Sequence, residues 1–371
     1  MNPFKYGCIV EGRYFCARPE LSRQLADYVT AGQNLVIQGE RRIGKSSLVA
    51  NTIRSMRGYR MLYADFMDVR TVADVCNQIT DALARFDDSD SLFKRTLALL
   101  SHLRPTVTVD AMTGLPTISV DARTVRGPES VNAVMNAVAE RVKGRKACVV
   151  FDEFQDILEM ENGERILALL RSKVQFLSGT SFVFLGSSRN RMLDIFLSPK
   201  SPFYKSATVF DVDLIPDDDF YRFISGRFRT GGRTIGRKTF QAILEFTERI
   251  PGDVQEYCDA IWQVTSDGDE VIEATLEEAL RRMFAREGAT FSTFARRLTD
   301  IQFRVLGALA VLGGEHPLSE EFMRRADVMN AATVNRSLGA LCASDLIYRL
   351  DGVYKFVSPF FREWVRRAIH D

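Results

Sequence analysis

The chain has 371 residues, 46% of them hydrophobic and 26% charged, with a formal net charge of +1. Those values are ordinary for a globular protein of two or three domains, and they exclude a polycation held on nucleic acid by bulk charge. No apolar run approaches the ~20 residues that span a bilayer, and MNPFKYGCIVEGRYF lacks the apolar centre of a signal peptide, so membrane and secreted classes are set aside.

Leu35-Val36-Ile37 is an unbroken apolar run and reads as a buried strand. Gly39-x-x-x-x-Gly44-Lys45-Ser46 follows it directly and fits the phosphate-binding (Walker A) loop. The glycines permit a tight turn that brings backbone N–H groups onto an anion, and the helix that begins near Ser47-Leu48-Val49-Ala50 adds its N-terminal donors. Lys45 is expected to reach the β- and γ-phosphates and Ser46 to give its hydroxyl to Mg²⁺. Gly39, Arg41, Arg42, Ile43, Gly44 and Ser47 complete the phosphate-holding set. Arg41 and Arg42 also fit a solvated loop.

YRMLYADFM (59–67) is the next strand candidate. RPTVTVDAMTGLPTISVDA (104–122) alternates apolar and polar residues on both sides of Met112-Thr113-Gly114. It predicts a β-hairpin insertion near 105–122 that serves packing or interaction. Ala147 to Phe151 is a continuous apolar strand ending at Asp152-Glu153 (Walker B). Ligands of open α/β sheets lie outside the carboxyl ends of the strands, so Asp152 is placed to reach Mg²⁺ through water and Glu153 to activate the attacking water. Helix capping is the bland alternative for this pair. Phe182 to Leu185 is a further strand, followed by Gly186-Ser187-Ser188-Arg189. There Ser187 and Ser188 are candidates to sense a γ-phosphate. ATVFDVDLI (207–215) is the last of five strands separated by helical stretches. The alternation predicts an α/β fold, with a parallel five-stranded sheet carrying helices on both faces.

After about Pro216 strand signals stop, and apolar residues recur at helical spacing, with Phe220, Phe223, Phe240 and Phe246 as core candidates. The stretch 281–298 interleaves Arg281, Arg282, Arg286, Arg296 and Arg297 with Phe284, Phe291 and Phe294. It fits a packed linker helix better than a nucleic-acid grip, since the aromatics fall at near-helical spacing. From Thr299 the order is helix, a short helix capped by Ser319, a third helix starting at Asn330, and a hairpin around Asp351-Gly352, which is a winged-helix order. This section carries nine basic and nine acidic residues, and its third helix only Arg336, a weak basis for gripping phosphates. The expected domains are 1–215, 216–298 and 299–371. The six cysteines form no Cys-x-x-Cys and the three histidines lie far apart, which disfavours a zinc site and suits reduced thiols of a cytoplasmic protein.

Pro3-Phe4, Gly12, Phe15, Arg18, the Arg-Arg-x-Gly-Lys-Ser loop, Asp152-Glu153-Phe154-Gln155, Gly186-Ser187-Ser188 and the C-terminal winged helix together resemble the archaeal-type ATPases, AAA+-related P-loop proteins close to the signal-transduction ATPases with numerous domains. The resemblance spans most of the chain. It implies ATP or dATP bound with Mg²⁺, an adenine walled by Gly12 to Arg18 with Phe15 and Arg18 among the contacts, and a helical lid. Gln255 stands where relatives offer a lid arginine, which implies slow hydrolysis or an arginine from a neighbour, with Arg189 and Arg191 as candidates on this chain. The expected activity is ATP hydrolysis, with Lys45 and Glu153 catalytic, driving a switch read out by the winged helix. The alternatives are a DNA-binding AAA+-type ATPase and a nucleotide-stabilised interaction module with negligible turnover. The expected partners are a nucleotide, then a protein or a second copy, with DNA reached through the winged helix or 281–298, and no membrane.

Overall fold

The first strand, β1 (Leu35–Gln38), is buried along its whole length and lies inside a five-stranded sheet. In a computed structural model that describes residues 2–86, 97–109, 116–121, 123–125 and 127–369, chain order continues with β2 (Arg60–Asp65), the hairpin strands β3 (Pro105–Val109) and β4 (Pro116–Val120), then β5 (Ala147–Asp152), β6 (Ser181–Leu185) and β7 (Thr208–Asp211). The sheet order is β2-β5-β6-β1-β7, and every pairing in it is parallel. The expected α/β sheet is thus present.

Unbroken apolar strands are buried on both faces, as parallel sheets require. Val36, Val149, Phe151, Phe182 and Phe184 face one core. Ile37, Val150, Val183 and Leu185 face the other, with Leu48 and Ile53 of the helix Lys45–Ser55. The first core is rich in phenylalanine; Phe154 lies 4.7 Å from Phe184 and 5.4 Å from Phe203, centroid to centroid. Strand register sets Asp65 beside Asp152, and β1 sits between β6 and β7, so the Gly39–Ser46 loop and the acidic strand end share the carboxyl edge of the sheet.

The hairpin docks on the helix Val72–Phe86. The Ile118 and Val120 amides donate to Asp81 Oδ1 (2.9 Å) and Asn77 Oδ1 (2.7 Å), and Thr80 Oγ1 donates to the Ile118 carbonyl (2.9 Å). Helix side chains thereby satisfy the outer edge of β4. The predicted turn at Met112-Thr113-Gly114 lies outside the described residues.

The chain divides into two compact units, Cys8–Leu214 and Met1–Gly7 with Ile215–Asp371. In the second unit Phe4 is buried beside Phe228 and Trp262, at 4.9 and 6.1 Å. Its helices are Asp217–Arg229, Arg237–Phe246, Pro251–Gln263 and the 24-residue Glu273–Arg296. A strand pair of two residues each, β8 (Thr234–Ile235) with β9 (Glu270–Val271), also occurs here, where no strand is expected from the sequence; a two-residue strand is too short to show alternation.

The helices Asp300–Leu312, Glu320–Arg325 and Ala331–Ala343 begin at side-chain caps: Thr299, Ser319 and Asn330 accept from the amides of Gln302, Phe322 and Ala332. The antiparallel hairpin β10 (Ile347–Leu350) and β11 (Val353–Phe356) follows. A final helix, Pro359–Ala368, capped by Ser358, has no counterpart in the sequence reading. It seats Phe361 and Trp364 against Phe291 at 5.4 and 6.1 Å.

Candidate active site

The loop after β1 needs both of its glycines. Gly39 has φ +151°, and a Cβ there would meet the Val212 carbonyl oxygen at 2.9 Å; Gly44, at φ +93°, opens the helix Lys45–Ser55. Arg42 is also left-handed at φ +63°. Arg41 is exposed, whereas Ile43 is buried in the core under the loop.

Lys45 is buried, and its Nζ donates to the carbonyls of Gly39 (3.0 Å) and Glu40 (2.9 Å). Burial pulls its pKa down, and the neighbouring Glu153 and Asp152 only partly offset this. Ser46 Oγ donates to Asp152 Oδ2 at 2.5 Å. The loop and the end of β5 thus meet in one hydrogen bond across 106 residues of sequence.

The same carboxylate oxygen accepts from Tyr63 Oη at 2.5 Å. Burial, with Asp152 adding to it, drives the phenol pKa up, which favours the protonated, donating hydroxyl. Sequence reasoning missed Tyr63, which alternation on β2 makes look like an ordinary half-buried strand residue.

Glu153 follows in a left-handed conformation, φ +47°. Its Oε2 accepts from Ser187 Oγ (2.7 Å), the Ser187 amide (3.2 Å) and Gln155 Nε2 (2.6 Å). Ser188 is the N-cap residue of the helix Arg189–Leu197 and makes no capping bond with its side chain. Asp65 and Asp156 sit close by with raised pKa values, chiefly through burial and with Glu153 adding to each.

Several expected contacts are already engaged inside the unit. Arg18 is buried and donates to the carbonyls of Ile43 (2.6 Å) and Asp213 (3.0 Å), so it ties the loop after β1 to the chain after β7. Burial lowers its pKa to about 10. Phe15 is half-buried against the core beneath the loop. Ser47 Oγ accepts from the Val10 amide (2.9 Å), while Asn51 donates to the Val10 carbonyl (2.8 Å) and accepts from the Gly12 amide (3.0 Å). The helix therefore holds the backbone of residues 10–12. Arg191 pairs with Glu159. In the second unit Gln255 is buried, and its Oε1 accepts from the Lys5 amide.

The architecture now has parallels. A chain described as the Walker-type ATPase of Pyrococcus abyssi is similar with a TM-score of 0.65 at 17% identity, covering 98% of this chain and 99% of that one. The Aeropyrum pernix ORC2 protein in ADPNP–ADP complexes gives 0.55 at 12% identity, covering 100% and 98%. The Aeropyrum pernix ORC1 protein in complex with DNA gives 0.52 at 15%, covering 97% and 98%. A family model described as "Probable winged helix domain" matches residues 289–367. The fold is shared with these chains, and its C-terminal section is a winged helix. A sequence search of curated proteins finds no match. Among the described residues no helix is long and apolar enough to cross a membrane.

Proposed function

We propose that the chain binds ATP with Mg²⁺ at the carboxyl edge of the sheet and hydrolyses it, and that the change of nucleotide state drives a switch read out by the winged helix. The observation that carries this reading is the junction of Ser46 with Asp152 at 2.5 Å, beside a buried Lys45 whose ammonium donates to two loop carbonyls. A lysine in that position is matched to a polyanion, and the backbone donors of the loop and helix start add to it.

The donor set also fits the metal. A hydroxyl and a carboxylate are hard oxygen ligands of the kind Mg²⁺ takes, and Ser46 and Asp152 would hold it directly or through water. Bound there, the ion supplies charge neutralisation to the phosphates. Lys45 moves from the Gly39 and Glu40 carbonyls to the β- and γ-phosphate oxygens. Glu153 accepts a proton from the water whose oxygen attacks the γ-phosphorus. The bond from that phosphorus to the β–γ bridging oxygen breaks, and ADP and phosphate leave. Ser187, which already touches Glu153, lies at the strand end where the γ-phosphate is expected.

Phosphate release from ATP with Mg²⁺, compared between wild type and Glu153→Gln, tests the reading. Turnover in wild type that falls by about a hundredfold or more in the variant is expected for loss of a general base. Lys45→Ala should remove ATP binding. Undiminished binding would mean that the site is elsewhere. A module that holds ATP with negligible turnover is the second reading, and the engagement of Gln255 with Lys5, where relatives offer a lid arginine, favours it.

A further inference from the structure

We infer that Gln155 is a positioning residue that aims Glu153, and that position 186 is glycine so that the Gln155 amide can lie there. The inference rests on the hydrolysis reading above.

Gln155 is 3% exposed and belongs to the short turn Phe154–Glu159 directly after β5. Its Nε2 donates to Glu153 Oε2 at 2.6 Å and to Asp156 Oδ1 at 2.9 Å. The two carboxylate oxygens act as acceptors here and an amide NH₂ has two hydrogens, so the orientation of the amide follows from its partners. The opposite atom, Gln155 Oε1, is buried and has no hydrogen-bond partner. Leaving an acceptor bare in the interior is unfavourable, and a methionine would fill the space without that penalty. The glutamine is therefore explained by what its NH₂ holds.

What it holds is one oxygen of Glu153. Among the described residues the three donors to that side chain, Gln155 Nε2, Ser187 Oγ and the Ser187 amide, fall on Oε2. Oε1 is then the oxygen turned to receive a proton. Asp156 extends the tie by accepting from the Asp68 amide at 3.1 Å, which links the clamp to the loop after β2. A Cβ on Gly186 would lie 2.3 Å from Gln155 Oε1 and 2.6 Å from Cγ and Sδ of Met192. Any larger residue at 186 displaces the Gln155 amide and frees Glu153 to rotate.

The test uses Gln155→Met, of similar length without the donor, and Gly186→Ala, which displaces the amide while keeping it. Both should lower kcat by roughly tenfold to a hundredfold, the order lost when a reacting group is misplaced. ATP affinity should stay within about twofold, because Glu153 acts on the water rather than on binding. Added to Glu153→Gln, Gln155→Met should have no further effect, since a residue acting only through Glu153 is non-additive with it. In nucleotide-free protein, amide exchange at Ser187 should quicken in Gln155→Met.

Equal kcat in wild type and both variants would overturn the positioning role alone. So would an equal slowing in the Glu153→Gln background, or unchanged exchange at Ser187. A wild-type chain that binds ATP and releases no phosphate would instead overturn the hydrolysis reading, and the role of Gln155 with it. If Gln155→Met does not fold, Gly186→Ala carries the same criteria.

Discussion

Tyr63 shows how much one side chain decides at this site. Asp152 Oδ2 accepts from both Ser46 and Tyr63, and in the proposed reaction Ser46 turns away to the metal. Tyr63 is then the side-chain donor left on Oδ2, while the Glu153 amide holds Oδ1 at 2.9 Å. Groups that orient a metal-binding carboxylate typically matter by about 10–100-fold in metal affinity. Tyr63→Phe should accordingly raise the Mg²⁺ concentration for half-maximal turnover by roughly that factor, while ATP binding in EDTA stays unchanged. An Mg²⁺ titration that superimposes on wild type would remove Tyr63 from the site. Arg18 makes the complementary case. The family resemblance set it against adenine, yet its guanidinium bridges the Ile43 and Asp213 carbonyls. Arg18→Met leaves both carbonyls without that donor, and at about 1–3 kcal/mol for each buried group left unpaired it should lower the stability of the sheet unit, seen as an earlier midpoint in urea. An unchanged midpoint would show that water replaces the guanidinium at both carbonyls.

At the scale of elements, what could be read from the sequence follows a physical divide. β1, β5 and β6 are legible because strands buried on both faces must be apolar throughout, and the tight turn after β1 because its glycines are fixed by local geometry. Asp152 and Glu153 are legible because they end such a strand. The caps at Thr299, Ser319 and Asn330 are local too, each reaching two or three residues along the chain. The contacts that escape are the long-range ones between polar residues: Tyr63 to Asp152 spans 89 residues and Glu153 to Ser187 spans 34. No periodicity encodes them. The helix Pro359–Ala368 escaped as well. Its polar face is organised by Glu363, which holds Arg366 and Arg367, while Arg367 also pairs with Glu277. Burial pushes the Glu363 pKa up, but the hydrogen bonds from the two arginines outweigh it and the net shift is downward. A carboxylate whose folded pKa is depressed adds stability above its unfolded value, near 4.5, and that stability is lost as pH falls through the folded value. Glu363→Gln should therefore destabilise at neutral pH by about 1–2 kcal/mol, a buried-pair loss discounted for arginines that can rehydrate. The gap from wild type should close as pH drops below the carboxylate range. Thermal unfolding of both chains across pH 3–7 reads it, and a constant gap would contradict the ion-pair account.

For the whole molecule, the proposed switch has two candidate readouts, a protein and DNA. A winged helix by itself favours neither, because nucleic-acid affinity comes mostly from lysine and arginine on phosphates. Here the basic residues are largely committed within the same unit. Arg304 pairs with Asp327, Arg362 and Lys355 with Glu248, and Arg366 and Arg367 with Glu363. The helix Ala331–Ala343, third in the winged-helix order, carries Arg336 as its single charged residue. Few phosphates can be neutralised by such a surface without first breaking ion pairs. Duplex DNA should then bind weakly, with a slope of log K against log salt no steeper than about −3, each phosphate contact contributing near −0.9. It should leave phosphate release from ATP unchanged. Arg336→Ala should flatten whatever slope exists by about one unit if that helix lies on the duplex, and not at all if it faces a protein. A slope of about −6 or steeper, together with DNA-stimulated turnover, would instead require that these ion pairs open on binding and would place the chain among DNA-handling ATPases.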